Sequence, residues 1–109
     1  MYELKTSMWS YALLRRASIG GALAVLARKG DGDAGACLVI VNTLDGLATL
    51  YRPIRNEKGE RIWLPKGPMP ANEIDHLIAK RVQIDPDLWV IEIEDKHGRH
   101  FLTEPVEIE

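Results

Sequence analysis

Apolar residues recur at helical spacing near the N-terminus: Trp9, Leu13 and Ala17 stand four apart, with Met8 and Ala12 beside them on the same face. With Thr6 or Ser7 as N-cap and Gly20-Gly21 as terminator, this spacing predicts a helix over 7–19. Residues 22–29 read two ways. Their Ala and Leu favour helix by propensity, yet a short stretch bounded by Gly-Gly and by Gly30-Asp31-Gly32-Asp33 suits a strand, which is the reading adopted. Ala36 to Asn42 is apolar on both alternating faces and β-branched at its centre, as in a strand covered on both sides. Asp45-Gly46 suits the two positive-φ positions of a type I′ turn and predicts a hairpin into a strand over 47–54. The turn cluster Asn56-Glu57-Lys58-Gly59 then leads into a short strand over 61–64.

Pro65, Pro68 and Pro70 punctuate the link to a helix predicted over 72–84, with Asn72 as N-cap and Asp75 three residues on. Ile74, Leu77, Ile78, Arg81 and Val82 fall on its packed side, and His76, Lys80 and Gln83 on its outer side. Pro86 stops it, because its ring disfavours α geometry at Asp85. From Leu88 to Glu94 the chain alternates, with Trp89, Ile91 and Ile93 on one face and Glu92 and Glu94 on the other. Asp95-Lys96-His97-Gly98 has turn chemistry, so 99–103 is expected to return as an antiparallel partner strand. The sum is an α+β fold in the order α-β-β-β-β-α-β-β, an antiparallel-rich sheet with two helices packed on it. Trp89, Ile91, Ile93, Phe101, Val39 and Val41 are its expected core. No internal repeat or flexible linker divides the chain, and 109 residues suit one domain over 1–109.

Hydrophobic residues make up 46% and charged residues 28%, which excludes disordered and low-complexity classes. Fourteen Lys and Arg against sixteen Asp and Glu give net −2, so a whole-surface grip on nucleic acid or anionic lipid is disfavoured. The charge is uneven: 85–109 sum to −6 and 1–84 to +4, which leaves a basic partner surface as a match for the acidic end. The longest apolar run, Ala36 to Val41, is far short of the ~20 residues that a membrane helix needs. The start, Met1-Tyr2-Glu3-Leu4-Lys5, lacks the basic and apolar regions of a secretory signal, so a cytoplasmic location is expected. Cys37 has no partner for a disulfide and too few neighbours for zinc, and within its apolar run it reads as a small buried hydrophobe. No metal or cofactor is expected.

Gly67, Glu73 and Arg81 have the Gly-x5-Glu-x7-Arg spacing that opens the Nudix box, preceded by Trp63-Leu64-Pro65-Lys66. The acids that would hold Mg²⁺ are missing from its continuation, where Val82, Asp85 and Pro86 stand. Asp85, Asp87, Glu92, Glu94 and Asp95 crowd a short stretch beside His97-Gly98-Arg99-His100, and a hairpin would set Asp95 against Arg99 and Glu94 against His100. Asp85, Asp87, Glu92, Glu94, Arg99 and His100 are therefore the candidate binding residues, against the plainer reading of a solvated face. Arg15-Arg16, just before Ser18, is a secondary candidate for a phosphate or an acidic partner, although cations near a helix C-terminus also serve its dipole. Gly30-Asp31-Gly32-Asp33-Ala34-Gly35 lacks the Lys and hydroxyl of a phosphate loop and reads as a wide turn.

Three blocks of the chain carry a family resemblance. They are Leu13-Leu14-Arg15-Arg16; Arg28-Lys29-Gly30-Asp31 with Asp33-Ala34-Gly35-Ala36; and Asp85 through Asp95 with Gly98-Arg99-His100-Phe101-Leu102. Together they resemble an uncharacterised family of short bacterial proteins catalogued as domain of unknown function 1491. The resemblance implies a bacterial origin and a compact domain, and it brings no reaction or binding residues. With no complete catalytic constellation, the chain is expected to be a non-enzymatic binding or accessory module for an unknown protein partner. The competing reading is a small metal-dependent hydrolase using the carboxylates of 85–95, or a degraded Nudix-like phosphohydrolase. An edge strand would also offer a route to a homodimer.

Overall fold

The computed structural model describes residues 5–31 and 35–107. Its elements are α1 (Thr6–Ile19), β1 (Leu23–Arg28), β2 (Cys37–Asn42), β3 (Leu47–Arg55), β4 (Arg61–Pro70), α2 (Ala71–Ile84) and β5 (Trp89–Glu94). The five strands form one sheet in the order β1-β5-β2-β3-β4. The α+β expectation holds, and the ambiguous stretch after Gly21 is a strand.

β5 occupies the gap between β1 and β2, antiparallel to the first and parallel to the second, with Ile91 paired to Leu26 on one side and Val39 on the other. A parallel pair needs a long crossover, and the β3-β4-α2 segment supplies it. This interior position explains why Leu88, Trp89, Val90, Ile91 and Ile93 are all buried. It also corrects the expected sixth strand: with both edges of β5 taken, 99–103 has nothing there to pair with and forms no strand.

Instead the tail turns back across the α1 side of the sheet. Phe101 takes a positive φ of 59°, the Arg16 side chain donates to its carbonyl at 3.1 Å, and His100 sets its ring edge against Tyr51 of β3. Glu104 then accepts from the indole N–H of Trp9 and of Trp63, each at 3.1 Å. Beyond it the tail is fastened to β4: Trp63 N–H donates to Pro105 O at 2.9 Å, and Glu107 N–H to Trp63 O at 2.8 Å.

Other boundaries differ for local reasons. β4 continues through all three prolines, because an edge strand tolerates residues that donate no ladder bond. The turn after β2 places positive φ on Leu44 and Gly46 instead of Asp45, with Asn42 and Asp45 side chains accepting from Leu44 and Leu47 N–H. Neither helix has a side-chain cap; Thr6 is already helical and donates its hydroxyl to Gly35 O at 2.6 Å, and α2 starts at Ala71, after Pro70. Gly30 and Gly35 both press against the backbone of Asp87, where a Cβ would overlap its carbonyl oxygen. That close approach lets Asp31 N–H reach Asp87 O at 3.1 Å.

The sheet is covered on both sides, unequally. α1 buries Trp9, Leu13 and Ala17 against Val39, Val41, Trp63, Trp89, Ile91 and Ile93, with Phe101 half-buried at the margin. On the other side Ile74 of α2 packs on Leu38, Ile40, Leu50 and Val90. α2 lies over β3 and β4, and the same side of β1 is left open, with Leu23 60% and Val25 45% exposed.

Candidate functional site

The structure distributes the six acidic and basic candidates over four places instead of gathering them. Asp85 and Asp87 form the corner before β5: Asp85 closes α2 through its N–H to Arg81 O, and its side chain accepts from Asp87 N–H at 3.1 Å. The six residues of β5, roughly 20 Å of strand, separate that corner from Arg99. Arg99 makes the expected contact with Asp95, though within one turn instead of across two strands, through bonds of 2.9 and 3.1 Å and a backbone N–H bond of 2.8 Å. This bidentate grip by Arg99 holds the buried Asp95 carboxyl down at about 2. The pair fixes the turn.

His100 and Glu94 are not partners. His100 lies on the α1 side against Tyr51, where its Nδ1 accepts from Leu102 N–H at 2.9 Å and burial pushes its pKa down. Glu92 and Glu94 lie on the opposite side, directly across from Val25 and Leu23 of β1. Arg16 of the secondary pair is engaged with the Phe101 carbonyl, and Arg15 is exposed.

Glu92 and Glu94 thus border the uncovered apolar strip of β1, formed by Leu23, Val25 and Ala27. Alternation along β1 puts Ala24 and Leu26 into the α1 core, which forces their neighbours onto the open side. Burial raises the pKa of Glu92, and the nearby charges of Glu94 and Asp75 push it the same way. The folded chain therefore holds this proton more tightly than the unfolded chain does. Its contribution to stability is present at acid pH and is lost as pH rises from the ordinary glutamate range through the raised value. Glu92→Gln should accordingly stabilise the protein at neutral pH, with the gain fading towards acid pH; urea unfolding at several pH values checks it.

A second feature escaped sequence reasoning. Arg52 of β3, Lys66 of β4 and Lys80 and Arg81 of α2 line one cleft of about 110 Å³, walled by Leu50 and Leu77. Arg52 and Arg81 also line an adjoining recess of about 170 Å³ that reaches Leu38, Asp85 and Leu88. The cations come from three separate stretches of sequence, Arg52, Lys66 and the adjacent Lys80-Arg81, and only the spacing of Arg52 two residues after buried Leu50, on the strand face under α2, hints at their meeting.

Catalytic machinery is not assembled from the other candidates. Glu73 and Arg81 of the Nudix-like spacing stand eight residues apart along α2, about 12 Å, with Asp85 occupied in ending the helix. Among the described residues no three His, Cys, Asp or Glu side chains lie together to hold a metal. Burial raises the Cys37 thiol to about 12, so it is protonated at neutral pH and a poor nucleophile. No helix among the described residues is long and apolar enough to cross a membrane.

Residues 4–103 match the family model described as protein of unknown function, DUF1491. Similar solved structures include the crystal structure of a DUF1491 family protein from Caulobacter crescentus CB15, with 48% identity, a TM-score of 0.90, and coverage of 96% of this chain and all of that one. An NMR structure of a DUF1491 family protein from the same organism gives 46% identity, a TM-score of 0.87, and coverage of 99% of this chain and all of that one. The solution structure of Atu0922 from A. tumefaciens gives 30% identity and a TM-score of 0.82 over 99% of both chains. No curated protein matches the chain.

Proposed function

The chain belongs to the DUF1491 family, a family without an assigned reaction, and we propose that it is a non-enzymatic binding module of the bacterial cytoplasm that docks an extended, basic segment of a partner protein along β1. The observation that carries this reading is the open strip of Leu23, Val25 and Ala27 on an edge strand, bordered by Glu92 and Glu94. An edge strand offers unpaired backbone groups to an added strand, and exposed apolar side chains supply a surface to cover. Charge sets the partner's sign: Glu92, whose pKa is raised by burial first and then by the charges of Glu94 and Asp75, stands in an acidic neighbourhood whose repulsion Lys or Arg from the partner would relieve.

The test is affinity capture of the tagged full chain from its native cell, in parallel with the double variant Leu23→Lys/Val25→Lys. Both positions are exposed and directly face Glu94 and Glu92, so the new lysines form favourable cross-strand pairs and folding is retained. A partner with a basic segment should be recovered by the parent and lost by the variant. Recovery of the same proteins by both would overturn the reading. So would sedimentation showing that the strip instead pairs two copies of this chain, as a dimer that the variant dissolves.

A further inference from the structure

The basic cleft does not contribute to the β1 strip and needs its own account. Four positive charges converge on it, and no carboxylate among the described residues pairs with Arg52, Lys66, Lys80 or Arg81. Arg52 Nε is buried and has no hydrogen-bond partner, an arrangement that costs stability unless something supplies an acceptor. The C-terminal end of α2 offers some compensation, but its dipole amounts to about half a negative charge against four positive ones. The adjoining recess is differently furnished. Leu38, Pro53 and Leu88 form apolar walls, the Asp85 carboxylate offers an acceptor, and Ile84 stands at its rim 83% exposed among the described residues.

We propose that this double cavity binds a small organic phosphomonoester, with the phosphate held between Arg52 and Arg81 and flanked by Lys66 and Lys80, and the organic body lying in the recess under Ile84. A phosphate dianion suits the cleft better than a carboxylate, because it matches more of the charge and offers three oxygens to two guanidinium forks and two ammonium groups. A nucleic-acid strand suits it less. The cleft has room for one phosphate, and Trp9, Trp63 and Trp89, on which bases would stack, are buried on the opposite side of the sheet.

The test is an NMR titration of the ¹⁵N-labelled full chain with phenyl phosphate and, separately, with inorganic phosphate. Phenyl phosphate should bind saturably, moving the amides of Arg52, Lys66, Lys80, Arg81 and Leu88. It should bind about tenfold more tightly than inorganic phosphate, because the ring adds apolar burial to the same ion pairs. Arg52→Gln/Arg81→Gln should weaken it by at least about tenfold. Lys66 and Lys80 are exposed, so Lys66→Gln/Lys80→Gln should weaken binding several-fold with the fold intact, which decides the matter if the arginine variant fails to fold. Absence of saturable shifts, unchanged affinity in the lysine variant, or equal affinity for the two probes would overturn the proposal. Leu23→Lys/Val25→Lys should leave phosphate binding unchanged, which separates this site from the β1 strip.

Discussion

Replacing Ile91 by Ala should lower the unfolding free energy by about 2–5 kcal/mol, the range for truncating a fully buried aliphatic side chain to Ala. Ile91 is 0% exposed and sits mid-strand in β5, between Leu26 and Val39, with its side chain in the core under α1. Relaxation into the cavity is restricted, because neighbours on both sides are held by ladder bonds. Ile91→Val should cost about 0.5–1.5 kcal/mol, which grades the effect by volume. Urea unfolding checks both, and a loss below about half a kcal/mol for the Ala variant would mean that β5 is not an interior strand with Ile91 in the core.

The second large effect is expected at Glu104. Its two carboxylate oxygens accept from Trp9 and Trp63, whose rings stack at 5.3 Å, and the Arg61 guanidinium lies over the Trp9 ring. Glu104→Ala would strand two indole N–H groups of buried tryptophans and loosen the tail's hold on α1 and β4, at a cost of roughly 2–4 kcal/mol. Glu104→Gln should cost less, since the amide oxygen still accepts one bond while its NH₂ faces the other donor. Comparing the two variants by thermal unfolding and tryptophan fluorescence separates loss of packing from loss of the acceptor. Equal stability of Glu104→Ala and parent would contradict the fastening role.

Both residues show where the sequence was readable. The buried β5 was legible because Trp89, Ile91 and Ile93 alternate with acids. The apolar pair Leu88 and Val90 on the other face, which marks two-sided burial, is the clue that this strand is interior and parallel to β2. The helices were legible from their spacing and terminators within one residue. The tail was misread because Asp95 to Gly98 carries turn chemistry. That chemistry says that the chain reverses, and it says nothing about whether an edge is vacant to receive it. Nothing local announces Glu104 as the acceptor for two tryptophans 95 and 41 residues away. The candidate sites divide in the same way. Glu92 and Glu94 were found by alternation, whereas the open apolar strip beside them and the cleft of Arg52, Lys66, Lys80 and Arg81 depend on which strands α2 covers.

The binding account rests on β1 as the docking edge, and hydrogen exchange of the full chain, alone and with its captured partner, tests this most directly. In the free protein the amides of β1 that point away from β5 lack a ladder partner and should exchange fast. The account predicts that the partner slows exchange across Leu23–Arg28 and leaves α2 and β4 unchanged. Protection confined to α1 or α2, with β1 exchanging as before, would contradict it.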